Sequence, residues 1–139
     1  MALERVGTGG PWEETLGAAR AVAAGDMVLV GGTMPPTAGA AAVGDPYEQA
    51  RVALADAVAA LTPFGLGIES VVRTRIYLSH SRDVEEVTRA HQELFAAVRP
   101  VTTLAVVAGF ADSRILVQVE IEAYRGPRGG AGAEGGERP

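Results

Sequence analysis

The stretch Ile115-Leu-Val-Gln-Val-Glu-Ile-Glu-Ala-Tyr124 alternates so strictly that it admits only a half-covered β-strand. Ile115, Val117, Val119, Ile121 and Ala123 form one unbroken apolar face. Leu116, Gln118, Glu120, Glu122 and Tyr124 fall on the other. A strand rises ~3.3 Å per residue, so Glu120 and Glu122 project the same way about 6–7 Å apart. Helices laid over the apolar face leave the second face to water or to a partner. Chemistry on that face would rest on Glu120 or Glu122. The bland alternative is a solvated ladder in which both glutamates pair with Arg73 and Arg75, which share the same i, i+2 spacing.

A chain of 139 residues fits one domain with a real core and no staples. It has no cysteine, which excludes disulfides, thiolate metal sites and cysteine nucleophiles. His80 and His91 lie in no zinc-like spacing, so no dedicated metal site is expected. The net charge of −5 and the lack of an Arg cluster argue against nucleic acid and anionic membranes as partners. No apolar run is long enough to span a bilayer and no leader pattern opens the chain, so a cytoplasmic protein is expected. All twelve basic residues are arginine, a mark of GC-rich bacterial coding that carries no functional weight.

Upstream, Thr8-Gly-Gly-Pro-Trp-Glu-Glu14 reads as a turn-rich entry, and Gly17–Ala24 as a short strand. Gly25-Asp26 is a turn dipeptide of open type before the strand Met27–Val30, which ends in Gly31-Gly32. The loop Pro35–Gly44 follows. Asp45, Pro46 and Glu48 then predict a capped helix running to about Leu61, with Tyr47, Ala50, Leu54, Ala57, Val58 and Leu61 as its apolar stripe. Val71–Leu78 reads as a strand with Val72, Thr74, Ile76 and Leu78 on one face. Asp83 and Glu86 suggest a second capping box before a helix whose stripe is Val84, Val87, His91, Leu94 and Val98. On that stripe His91 reads as a packed, hydrogen-bonded core residue rather than a catalytic one. Val101–Ala108 is the next strand.

The predicted order is β-β-α-β-α-β-β, an α+β domain over residues 1–125 with both helices on one sheet face, followed by a disordered Gly/Pro-rich tail, 126–139. Strands joined across a helix, such as 27–30 and 71–78, should run parallel if adjacent. Leu104, Val106 and Leu116 are candidates for the second face, which would then be buried more easily between subunits than left wet. Gly31-Gly32 is no phosphate loop, lacking both Gly-x-Gly-x-x-Gly and a Lys-Ser/Thr ending, and no Gly-x-Ser-x-Gly elbow is present.

Three segments, Gly25-Asp-Met-Val-Leu-Val-Gly-Gly-Thr-Met-Pro35, Val71-Val-Arg-Thr-Arg-Ile-Tyr-Leu78 and Val119-Glu-Ile-Glu-Ala123, together resemble the Rid family (YjgF-type, reactive intermediate deaminase). The order of elements agrees over roughly residues 15–125. The resemblance implies a chorismate-mutase-like fold and a homotrimer with clefts between subunits. It also implies cofactor-free hydrolysis of reactive imines or enamines. Glu120 matches the glutamate that positions or activates water. The arginine that binds a substrate carboxylate falls on Thr102, with Thr103 and Leu104 beside it. A pocket tyrosine falls on Ala18, a pocket serine on Gly31 and a helix asparagine on Thr88. Backbone amides at Gly32 and Leu104 would remain as anion or carbonyl contacts.

A hydroxyl cannot replace a bidentate guanidinium, so the substrate is expected to be less anionic than a 2-imino acid. This places the chain with arginine-lacking branches. A carboxylate such as Glu120 suits imine hydrolysis, tautomerisation, dehydration or cyclisation. A trimer that only binds or shields a metabolite is the rival, and a trimer with vestigial clefts is a third reading. The ribonuclease activity attached to the family's name finds no support in an acidic chain without a basic patch.

Overall fold

The strictly alternating strand is the centre of the sheet. In the computed structural model, which describes residues 3–7, 11–36 and 44–126, the elements are β1 (Leu3–Val6), α1 (Pro11–Leu16), β2 (Ala21–Ala24), β3 (Met27–Thr33), α2 (Pro46–Ala59), β4 (Val71–Leu78), α3 (Val84–Phe95), β5 (Val101–Val106) and β6 (Val117–Tyr124). They form an α+β domain with one mixed six-stranded sheet in the order β1-β2-β3-β6-β4-β5. Only β4 and β5 pair in parallel, joined across α3; every other pairing is antiparallel. Thr8, the loop tip 37–43 and the tail beyond Gly126 lie outside the described residues, as does the side chain of Trp12.

β6 lies between β3 and β4, so those two strands share a direction without touching. Its apolar row Val117, Val119, Ile121 and Ala123 is at most 1% exposed, and Ile115 continues that row just before the strand. Each fully buried Val or Ile contributes ~1.5–3 kcal/mol. Ala50, Ala53, Leu54 and Ala57 of α2 and Val87, Ala90 and Phe95 of α3 close over this row. Asp45 caps α2 by accepting from the Glu48 N–H at 3.1 Å. The Glu48 carboxylate does not complete the box, because it turns to Arg51.

Several expected boundaries move. The residues before Gly17 carry β1 and α1, so among the described residues there is one more strand and one more helix than the sequence predicts. Gly17, expected in a strand, instead ends α1 in a left-handed conformation (φ 70°), and β2 begins only at Ala21. β3 runs on to Thr33 through an irregular register at the glycine pair. Gly25 has φ 62° and Asp26 does not have positive φ, which makes the hairpin turn type II′. β5 stops at Val106, and β6 begins two residues later than expected.

Three further corrections have physical causes. Val71 pairs with Ala123 and Arg73 with Glu122, so Val72 is an extra residue in a bulge. It is therefore 42% exposed, and Val71 takes its place in the core row. Leu104 stands beside Ile76, a core residue, so Leu104 and Val106 face the helices rather than the open side of the sheet. The second capping box does not form. The chain enters α3 through a 3-10 turn, Ser81–Asp83, which holds Asp83 at φ −92°, ψ 2° with no side-chain cap.

Candidate functional site

Where α3 leaves the edge of the sheet, β4, β5 and the helix end do not fill the space between them. A cavity of about 410 Å³ opens there. Ile76, Phe95, Ala96, Pro100 and Leu104 form its apolar wall. Thr88, His91, Gln92, Arg99 and Thr102 supply its polar groups. Thr102 is there because the parallel register sets it beside Thr74, and both hydroxyls point toward α3.

A short polar chain runs through this wall. His91 Nε2 lies 2.8 Å from Thr74 Oγ1, which lies 2.8 Å from Thr102 Oγ1. Apart from Thr74, Thr102 Oγ1 has one long bond, donated to the Pro100 carbonyl at 3.3 Å. Thr74 is fully buried, so its hydroxyl needs such partners. The imidazole is half-buried and stacks on Phe95 with ring centres 4.7 Å apart. Burial alone pushes its pKa down, which favours the neutral ring. Arg99 follows α3 in a left-handed conformation (φ 57°), with its N–H capping the Phe95 carbonyl at 2.8 Å.

The residues singled out in the sequence separate into three groups. Thr88, Thr102 and Leu104 meet in the cavity. Ala18, Gly31 and Gly32 lie where β2 and β3 meet the end of α1. There the Gly31 N–H donates to the Arg20 carbonyl at 3.1 Å and the Ala18 N–H to the Glu13 carbonyl at 2.9 Å. A Cβ on Gly32 would press on the amide end of the Gln118 side chain, which can move aside. Glu120 and Thr103 flank Arg75 on the open sheet face, opposite the cavity.

On that open face the arginine–glutamate ladder is present. Arg75 Nη1 lies 3.0 Å from Glu122 and 3.7 Å from Glu120, and Arg73 Nε lies 3.6 Å from Glu122. Tyr77 donates to Glu120 at 3.3 Å. The Tyr77 pKa is raised, first by burial and then by the Glu120 charge. Thus Glu120 and Thr102 project from opposite faces of the sheet. Gly31 on β3 and Thr102 on β5 are three strand spacings apart, about 14 Å.

Pattern reading alone missed the cavity; only the family resemblance picked out Thr88, Thr102 and Leu104 of its lining. His91 sat on a helical stripe that reads as core, and nothing in the local pattern marks Gln92, Ala96 or Arg99. The one available signal was the helix-ending Pro100 two residues before Thr102. Among the described residues no trio of His, Asp or Glu gathers as a metal site, and no helix is long and apolar enough to cross a membrane.

Residues 17–125 match the model of one protein family, described as Endoribonuclease L-PSP. The chain belongs to this family, the YjgF type. It is 63% identical over 126 residues to an uncharacterized protein of Streptomyces coelicolor, covering 90% of this chain and 94% of that one. A RutC family protein of Pyrococcus horikoshii is 26% identical over 108 residues, covering 76% of this chain and 85% of the other. Among solved structures, a Mycobacterium tuberculosis member of the YjgF/YER057c/UK114 family superposes with a TM-score of 0.81 at 33% identity, covering 88% of this chain and 99% of that one. The Endoribonuclease L-PSP fold is thus the fold of this chain.

Proposed function

We propose that this family member acts as a homotrimer on a small reactive metabolite, held in clefts between subunits. The reaction would be hydrolysis of an imine or enamine, or a related tautomerisation, dehydration or cyclisation, without a cofactor. One observation carries the reading. Thr88, Thr102 and Leu104, positions that the YjgF-type resemblance marks for the substrate, come from α3 and β5 to line a single cavity of metabolite size.

The trimer is favoured by what one chain leaves apart. Gly31 and Gly32 cannot reach a small ligand held by Thr102 in the same chain, whereas a second copy could bring them to the cavity mouth. β5 is the edge of the sheet, and an edge strand turns alternate N–H and C=O groups outward for a neighbour to receive. Val101 and Val106 on that edge are 59% and 51% exposed. Glu120 belongs to the working site in this reading only where the open face of one subunit also borders a cleft. Elsewhere the ladder to Arg75 is its role.

A nucleic-acid substrate is disfavoured despite the family's name, since the chain carries net charge −5 and Arg73, Arg75, Arg89 and Arg114 are engaged by carboxylates. Light scattering of the full chain tests the assembly, and a trimer at micromolar concentration is expected. A stable monomer would sink the reading. Turnover of a neutral enamine by the trimer separates enzyme from binding module, which would bind the same compound without consuming it.

A further inference from the structure

Resting on the reading that this cavity holds a small reactive metabolite, we propose that His91 is its proton-transfer residue. Thr74 and Thr102 carry the return proton, so the site tautomerises neutral imines, enamines or carbonyl compounds with an acidic C–H bond.

A fully buried histidine would need protein partners at both ring nitrogens, whereas the half-buried His91 can leave one open to water or a ligand. Here Nε2 is held by Thr74, while Nδ1 has no hydrogen-bond partner among the described residues, and His91 is part of the cavity lining. Arg99 is the one charged side chain in that lining, and no carboxylate stands there to trap the imidazole as a cation. Burial keeps the ring neutral near pH 7, as a base requires. The hydroxyl chain then gives that base a partner acid. When Thr102 turns its hydroxyl proton to a ligand, it gives up the long bond to the Pro100 carbonyl and keeps its contact with Thr74.

The step balances. Nδ1 takes the proton from the carbon next to a C=N or C=O group, and the C–H electron pair becomes the new C=C bond. The π pair of the C=N or C=O group moves onto its heteroatom, which takes the Thr102 hydroxyl proton. Thr102 is reprotonated by Thr74, and Thr74 by Nε2–H. The imidazole ends neutral with its proton on Nδ1, and exchange with water resets it. Nothing is oxidised, and no co-reactant is consumed.

Two measurements on the full-length protein decide the matter. Nitrogen-15 spectra of the free protein should show His91 with its proton on Nε2; a proton fixed on Nδ1 at pH 7 overturns the proposal. Ethyl acetoacetate in D2O then serves as a neutral probe, with deuterium uptake at its central carbon followed by NMR. Wild type and the control His80→Gln should accelerate uptake, and His91→Gln should lose about 100-fold or more of that acceleration. Thr74→Val, which breaks the link between His91 and Thr102, should keep part of the rate and displace its pH profile. Probe binding with equal rates in wild type and His91→Gln overturns the proposal alone. A saturating probe that leaves the Thr88 and Thr102 signals unmoved overturns the cavity reading as well. Should His91→Gln fail to fold, an unshifted pH profile in Thr74→Val overturns the relay.

Discussion

Arg75 holds Glu122 at hydrogen-bonding distance, 3.0 Å, but its neighbour Glu120 at only 3.7 Å through the same Nη1 atom. One guanidinium thus serves two carboxylates of β6 unequally, because Arg75 opposes Glu120 in register while leaning along the strand toward Glu122. The shared charge offsets the repulsion between two like groups two residues apart.

This asymmetry orders two substitutions. Glu122→Gln should lower the melting temperature more than Glu120→Gln, since it removes the hydrogen-bonded partner of Arg75 and the ion pair of Arg73 together. Both effects should shrink in 1 M salt, because these side chains are 24–38% exposed and are screened. Equal shifts, or shifts that salt leaves unchanged, would contradict the unequal ladder. Calorimetry of the two variants at low and high salt provides the check.

At Gly32 the prediction concerns a pair. A Cβ there meets the flexible amide end of Gln118 at 2.4 Å, not backbone, so Gly32→Ala can be relieved by moving one side chain. Its cost should be about 1 kcal/mol, the low end for overpacking. Gln118→Ala should cancel most of it, giving a clearly non-additive double-mutant cycle in urea unfolding. Additive costs would place the strain in the backbone of the β3 bulge instead.

How much of this was legible in the sequence depends on where each residue sits in the sheet. β6 and most of β4 were read correctly because central strands covered on one side must alternate, and Glu120 and Arg75 fell on the open face as the period required. β1 escaped notice because three of its four residues are exposed and impose no pattern, and α1 is too short for a helical period to register. Val72 was misplaced because one bulge residue shifts the alternation. The cavity was hidden for a different reason: it is made by what α3 and β5 fail to fill, and His91, Phe95, Thr102 and Leu104 come together only through the parallel β4–β5 register.

Thr102 also bears on substrate range. Where the YjgF-type resemblance expects an arginine, the cavity offers a hydroxyl already bonded to Thr74, with one donor and no charge. Hydrogen bonds to charged groups contribute ~1.5–3 kcal/mol each, and a bidentate pair makes two. Little ammonia release is therefore expected from 2-iminopropionate or 2-iminobutyrate generated in situ. Rapid release in a coupled assay would mean that another group, with Arg99 the nearest choice in the lining, binds the carboxylate.

The last prediction follows from the burial of His91. Its folded-state pKa lies below the ordinary 6.5 because the half-buried ring resists charging, and burial is the sole cause. The unfolded chain therefore takes up the proton first as pH falls, so the unfolded state binds more protons in that window and stability rises with pH. The contribution of neutral His91 is fully present above about pH 6.5. It declines as pH drops through the depressed folded value, below which both states are charged and the cost is complete. Carboxylates titrate lower and add their own slope, so the decisive quantity is a difference. The urea midpoint of wild type should fall more steeply from pH 7 toward pH 5 than that of His91→Gln. Parallel curves for wild type and His91→Gln would mean that the ring charges as easily in the folded protein as in water, and that the cavity does not hold it neutral.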